Sequence, residues 1–468
     1  MKSDTVAKLG IIANALGAAP ANPSADLIAE AAGEPDHAVS YLVLAVLYEE
    51  IPHPDLIKGF TRRWRLDGLV PLVDEHAKIA GRRRRSKAVP TRVVSDVVAD
   101  VTDTARSRFT TGIQRVARET LSRWWIGRDI ELVTWDQRTS RFLSASPEEA
   151  ERVVLQPVVA GPVEFIIPFR ATLFLPEIAV DDERAARLRT IARFSGGRSI
   201  AIGFDCIPVT TAETAGPGMP GAFSKYLSTL ARFDAVAPIS KAAGREYRGW
   251  RRMLSGAGLT GPEITDLPLP FNANPEPRDR ASIEATRAEL GLDDAPVVLS
   301  VGSREPRKNH LSLLHAAELN WRAGHEFALV LVGGNSWETQ QIDEFVSDLR
   351  RKNRRIIMLS GVSDEMVWDL YATARFSVFC SINEGFGLPV VESLAYRTPV
   401  ITSNFGSMRD LGEGRGALLA NPHDPEQMAE AMRLLLTSDE EVARLSAEAA
   451  NLPTSSWDHY AEQLWQLA

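Results

Sequence analysis

Cysteine is almost missing from this chain: Cys206 and Cys380 are the only two among 468 residues. Two thiols so far apart supply neither a disulfide framework nor a metal cluster, and both read as buried free cysteines at strand ends. The eight histidines form no cluster with metal-ligand spacing, and no Asp-x-Asp triplet occurs anywhere. An excess of positive charge is also lacking. The formal net charge of −8 excludes a general nucleic-acid binder, which needs a basic face. The longest apolar run, Ala38 to Tyr48, has 11 residues. That is too short for a membrane span of about 20 and suits a buried helix of a small bundle. Met1-Lys2-Ser3-Asp4 does not resemble a signal peptide. Together these gaps predict a soluble, cytoplasmic chain without bound metal.

What the chain does contain is ample core material, with 44% hydrophobic and 24% charged residues. Its length predicts two or three domains. Residues 1–80 carry helical punctuation. Ser24 caps a helix over Ala25 to Ala32, Gly33 stops it, and Pro35 with Asp36 starts the next, which ends near Pro52. Asp55 to Leu66 and Leu69 to Ala80 complete a helical module. It is read either as a surface for oligomerisation or partner docking, or as a packing extension. A linker over 81–91 follows, with the basic run Gly81-Arg82-Arg83-Arg84-Arg85-Ser86-Lys87. This run is either solvated or in contact with anionic lipid at the inner membrane surface, where each charge contributes roughly 1 kcal/mol.

Residues 92–270 read as an α/β domain, with strands at Val93–Val98, Glu131–Trp135, Ala171–Leu175, Ser199–Phe204 and Ala235–Ser240. Their alternation with helical stretches predicts a parallel, doubly wound sheet. A Pro-rich stretch from Pro268 to Pro277 opens an interdomain linker over 271–294, and a second α/β domain fills 295–450. Trp457 starts a last helix within 451–468.

The most informative stretch is Glu384-Gly385-Phe386-Gly387-Leu388-Pro389-Val390-Val391-Glu392. An apolar run, Ala374 to Cys380, precedes it as a buried strand, and Val390 to Tyr396 follows as a helix with Pro389 in its first turn. A strand, a glycine turn and a helix start place free N–H groups and a positive dipole end beside a cleft. Such a site holds phosphate on backbone N–H groups and sugar hydroxyls on the two carboxylates. A surface helix with incidental acids is the bland alternative, and it does not explain Gly-Phe-Gly-Leu-Pro between them.

This stretch resembles the Glu-x7-Glu signature of family 4 retaining glycosyltransferases of the GT-B fold. The resemblance continues in Val297 to Asn309 with its Pro306-Arg307-Lys308-Asn309 segment, in Leu329 to Gly334, in Leu359 to Asp364 and in Thr398 to Asn404. It implies two Rossmann-like domains facing each other across a cleft, preceded here by the helical module, and a last helix that crosses back to the first domain. It also implies roles. Arg307 and Lys308, beside Gly302, would face the donor diphosphate, with Arg304 a weaker candidate. Glu384 would grip the donor sugar, and the N–H groups of Phe386, Gly387 and Leu388 would face sugar or phosphate. Glu392 would bind the ribose, and Gly361 with Val362 would meet the nucleobase. Gly112, in Thr110-Thr111-Gly112-Ile113-Gln114-Arg115-Val116, resembles a loop where substrate approaches the backbone; a plain helix start is the other reading.

One position departs from the family pattern. Many relatives carry a His beside an Asp at the end of a first-domain strand, and this chain has Phe204 there, before Asp205. Either Asp205 supplies the polar function, or the leaving phosphate takes the acceptor proton, or Asp205 merely caps the turn before Pro208. The function implied is retaining transfer of a hexose from a nucleotide sugar, GDP-mannose first, to a glycan, lipid-linked or protein acceptor in surface polysaccharide synthesis. It would need no cofactor and no metal, because Arg307, Lys308 and the helix dipole stand in for a chelated ion. The alternative is an inactive sugar-nucleotide-binding scaffold that docks through residues 1–80.

Overall fold

The computed structural model describes all residues except 1–2, 19–20, 82–88, 108–110, 272–275, 335–338 and 453–454. The basic run therefore lies, from Arg82 on, outside the described residues, as does Thr110. The N-terminal helices are Ser3–Ala15, Ala25–Ala32, His37–Tyr48, Pro54–Asp67 and Leu69–Ala80. Ser24 and Asp36 cap the second and third by accepting from Leu27 N and Val39 N. The first helix was not legible as one; it buries Leu9, Ile12 and Ala13. His37–Tyr48 is buried from Ala38 to Leu47, which is why its sequence is apolar all round. The module shares one continuous core with the first sheet. Arg141 Nε donates to Glu49 O at 2.6 Å and Arg187 Nη1 to Ile51 O at 2.8 Å, tying the two together.

The first sheet has strands β1 (Thr91–Val94), β2 (Val97–Asp100), β3 (Ile130–Asp136), β4 (Arg141–Ser144), β5 (Phe165–Pro168), β6 (Thr172–Leu175), β7 (Ser199–Gly203), β8 (Ala235–Pro238) and β9 (Glu263–Ile264). Their order is β1-β5-β4-β3-β2-β6-β7-β8-β9. Two sequence expectations need correction. The single strand expected at Val93–Val98 is two, broken at Ser95-Asp96: β1 pairs with β5, while β2 pairs with β3 and β6. The sheet is also not wholly parallel, because β4 runs antiparallel to β3 and β5. Asp136 explains the hairpin: its carboxylate accepts from Arg138 N and from the Thr139 hydroxyl, closing a short polar turn that reverses the chain.

The second sheet is wholly parallel, with β10 (Val297–Val301), β11 (Ala328–Val332), β12 (Ile356–Leu359), β13 (Phe376–Phe379), β14 (Val400–Ser403) and β15 (Ala417–Ala420) in the order β12-β11-β10-β13-β14-β15. The inner strands β10, β11, β13 and β14 are short, mostly apolar runs buried on both faces, while the edge strands β12 and β15 are half-buried. The order reverses direction between β10 and β13. Loops leaving the carboxyl ends of such a strand pair diverge and leave a crevice for ligand.

The chain crosses between the sheets twice. Within 271–294, residues Arg280–Glu289 form a helix on Asp364–Thr373, where Asp369 accepts from Arg278, Ser282 and Thr286. At the far end, helix Trp457–Trp465 lies on Gly112–Trp125 of the first domain, with Trp124 Nε1 donating to Ala461 O at 2.9 Å. Among the described residues no helix is long and apolar enough to cross a membrane.

Candidate active site

The loop after β10 turns at Gly302 into a single 3-10 turn, Pro306–Lys308, which aims two cations into the crevice. Asn309 follows at φ 59° and donates to the carbonyls of Cys380 and Pro422, so its amide anchors the turn rather than the ligand. Across the crevice, the loop after β13 brings in Glu384. Lys308 Nζ donates to Glu384 Oε1 at 2.6 Å, and Arg307 Nη1 to Glu384 Oε2 at 2.5 Å. Arg307 also donates to Glu305 Oε1 at 2.8 Å and to Asn383 O at 3.1 Å. Glu384 is buried, and burial alone would raise its pKa. Lys308 and Arg307 outweigh that and hold it at about 2, so it is a carboxylate at every relevant pH. His310, buried behind this turn, is depressed to about 4 by burial, with Lys308 and Arg304 adding to the effect.

Gly385 and Gly387 cannot be other residues without distortion. A Cβ at Gly385 would stand 2.7 Å from Phe204 O and 2.9 Å from Asp205 Oδ2, so the loop lies flat on the end of β7. Gly387 has φ 104° and opens helix Leu388–Ala395, with Pro389 in its first turn. Phe386 is buried and Leu388 half-buried, packed toward Gly112, whose Cβ position is 3.9 Å from Leu388 Cδ1. Glu392 lies further along this helix. Its Oε1 is 3.2 Å from Arg115 Nη1 of the first domain, and its Oε2 accepts from Tyr371 OH at 3.3 Å. Burial raises its pKa and Arg115 opposes the rise. A cavity of about 280 Å³ opens beside it, lined in part by Arg115, Trp368, Leu388, Tyr396 and Trp457.

Asp205 follows β7 in the first domain. Its Oδ1 accepts from Ile207 N at 3.1 Å, a turn-capping bond. Burial pushes its carboxyl up to about 6, against the pull of Arg307. It therefore caps a turn and also faces the Arg307–Glu384 group.

The structure thus gathers Gly302, Arg307, Lys308, Glu384, Phe386, Gly387 and Leu388 at one crevice, with Asp205 opposite and Glu392 one helical turn further along. Gly361 and Val362 stand apart, in the turn after edge strand β12, and Gly112 opens a first-domain helix. Arg304 is turned away: it is buried and donates to Gly333 O at 3.0 Å.

Several contributors were missed. Glu305 and Arg115 sit inside stretches already singled out; Glu305 accepts from Arg307 two residues on, whereas the partner of Arg115, Glu392, is 277 residues away. Ser240 donates to Gly385 O at 2.6 Å, and Asn383 donates to Glu246 Oε1 at 3.2 Å, so both fix the Glu384 loop to the first domain. A Ser directly after a strand signals a helix cap, which Ser240 also is, through Ala243 N.

Residues 282–452 match the family model "Glycosyl transferases group 1". The chain is 26% identical over 392 residues to the serotype-specific mannosyltransferase WbdA of Escherichia coli, a match covering 79% of this chain and 46% of that protein. It therefore spans less than half the length of this relative. It is also 26% identical over 370 residues to a D-inositol 3-phosphate glycosyltransferase of Nocardia farcinica, covering 72% of this chain and 80% of the other. Among solved structures, HepE of Anabaena, in complex with UDP and glucose, superposes with a TM-score of 0.58 at 13% identity, covering 80% of this chain and 98% of that one. Sucrose-phosphate synthase of Thermosynechococcus elongatus gives 0.57 at 16% identity, with 80% and 98% covered. Residues 282–452 thus resemble the group 1 glycosyl transferases, and the two sheets facing across the cleft give this chain a GT-B fold.

Proposed function

We propose that this chain moves a hexose from a nucleotide sugar onto a glycan, lipid-linked or protein acceptor, retaining the anomeric configuration and using no divalent ion. GDP-mannose is the first donor to try, because WbdA is named a mannosyltransferase. The observation that carries the reading is Glu384 clasped by Lys308 and Arg307 at the point where the second sheet reverses its strand order. Lys308 and Arg307 are placed to meet the charge that grows on the diphosphate as the sugar–phosphate bond breaks, and the N-terminus of helix Leu388–Ala395 adds to them. Glu384 accepts hydrogen bonds from the donor sugar hydroxyls and sets a fixed negative charge near the cationic anomeric carbon. Glu392 receives the ribose hydroxyls. The acceptor hydroxyl proton passes to the leaving phosphate or to Asp205, whose raised pKa suits a base near neutrality.

An inactive scaffold gains no support from a site with all its charged groups in place. Contact of residues 81–87 with anionic lipid, and oligomerisation through residues 1–80, are further parts of this proposal; the charge of the first and the helical packing of the second motivate them. The test offers GDP-, UDP-, dTDP- and ADP-hexoses and measures nucleoside diphosphate release, with and without chelator. Release from one donor, unaffected by chelator, is expected. NMR of the product from an α-linked donor should show an α linkage. A β linkage would overturn retention, and loss of release on chelation would overturn metal independence.

A further inference from the structure

The N-terminal module carries a second charged concavity. Helix Pro54–Asp67 sets Lys58, Thr61, Arg62 and Arg65 at spacings of three and four, on one face. His37 and the end of helix Asp182–Phe194, with Arg193 and Phe194, complete a cavity of about 480 Å³ where the module meets the first domain. None of these lining residues is acidic. Among the described residues the Arg62 and Arg65 side chains make no ion pair or hydrogen bond, and Arg193 only stacks on Phe194 at 5.2 Å. Lys58 reaches one exposed acid, Asp55, at 3.4 Å.

The contrast within the helix is informative. Arg63, on another face, is held by Asp67 and Glu75. Around Arg62 and Arg65, the positions three and four residues away are Lys58, Gly59, Thr61, Leu66, Gly68 and Leu69, besides each other, so neither has a carboxylate within helical reach. Arg193 and Arg65 each lie in the last turn of a helix, where a cation is favoured; Arg62, further back, has no such explanation. Like charges converging on a concavity repel one another unless an anion sits between them. The guanidinium fork matches phosphate oxygens, and the volume accommodates a phosphorylated group with part of its carrier.

We infer that the cavity between the N-terminal module and the first domain binds a phosphate or diphosphate group, through Arg62, Arg65, Arg193 and Lys58. The phosphate belongs to a soluble phosphorylated compound or to a lipid head group. The inference does not depend on the proposed transfer. The test titrates inorganic pyrophosphate into the full chain by calorimetry, and measures flotation with vesicles of equal parts phosphatidylcholine and phosphatidylglycerol. The donor site also takes pyrophosphate, so Lys308→Ala serves as a parallel background that weakens only that class. Arg62→Gln/Arg65→Gln/Arg193→Gln should weaken the remaining class by roughly tenfold per guanidinium, or abolish flotation. Loss of pyrophosphate binding points to a soluble ligand, and loss of flotation alone to a head group. The exposed pair Arg62→Gln/Arg65→Gln, checked by its melting curve, repeats the test should the triple variant fold poorly. Unchanged pyrophosphate binding and unchanged flotation in both variants would overturn the inference.

Discussion

Each sheet of this molecule has a point where the strand order reverses between two parallel neighbours, β2/β6 in the first and β10/β13 in the second, and the two points are filled in opposite ways. At β10/β13, Glu384 has two cations of its own and is held at about 2. At β2/β6, a single buried guanidinium serves three carboxylates: Arg184 contacts Asp100 at 2.8 Å, Asp103 at 2.7 Å, and Glu177 closely. Burial pushes Glu177 up to about 7 despite Arg184, and Asp100 and Asp103 add to the rise. Both glutamates are buried. What separates them is the balance of neighbouring charge, so burial alone does not set the protonation state. The first crevice is plugged by its own ion cluster, with Glu177 also accepting from Asp103 N, Thr104 N and Thr104 Oγ1. At the second, the cations are paired with Glu384 and, in the proposed reaction, meet the donor diphosphate.

The largest effect should come from breaking the plug. Arg184→Met leaves Asp100 and Glu177 buried without a cation, and should destabilise the fold by about 3–5 kcal/mol, read from denaturant unfolding. If the plug contributes nothing, that midpoint will not move. At the other reversal point, Glu384→Gln should slow transfer on the order of 100- to 1,000-fold, and it should also lower the melting temperature at neutral pH, because Lys308 and Arg307 lose the carboxylate they hold ionised. A comparable rate in the variant would remove Glu384 from the chemistry.

The opposite pKa shifts sharpen the comparison through pH. Glu177 is raised from 4.5 to about 7, so the native state keeps a proton that the unfolded state has lost in that window. Its contribution therefore favours folding at low pH and declines as pH rises from 4.5 to 7, by on the order of 2–3 kcal/mol. Glu384 does the reverse, with stability present above 4.5 and lost as pH falls toward 2. Glu177→Gln should flatten the melting temperature between pH 4.5 and 7 relative to wild type; an unaltered slope would contradict the assignment. The smallest effect belongs to Ser240→Ala, which removes the 2.6 Å bond to Gly385 O. It should cost about 1 kcal/mol in thermal unfolding, and a neutral result would mean water replaces the hydroxyl.

The same contrast explains what the sequence revealed. In the second domain β10, β13 and β14 were legible as apolar runs, and the residues of the candidate site sit in two short loops with glycine and proline; the half-buried edge strands β12 and β15 were not read as strands. In the first domain, β4, β5 and β9 escaped notice: four residues or fewer, flanked by prolines or polar turns, give too little periodicity. β1 and β2 merged because Ser95-Asp96 breaks pairing, not hydrophobicity. Arg184 looked like any surface arginine on a helix, since its burial depends on Asp100 and Glu177, which lie 84 and 7 residues away. Arg115–Glu392, separated by 277 residues, was invisible for the same reason.

The most direct test of the central claim is calorimetric titration of GDP into wild-type protein and Lys308→Ala, with the donor panel deciding whether GDP or another nucleoside diphosphate is used. If Lys308 meets the donor diphosphate, removing its ammonium should weaken nucleotide affinity by at least about tenfold. Equal affinity in the two proteins would contradict a diphosphate site at the β10/β13 crevice.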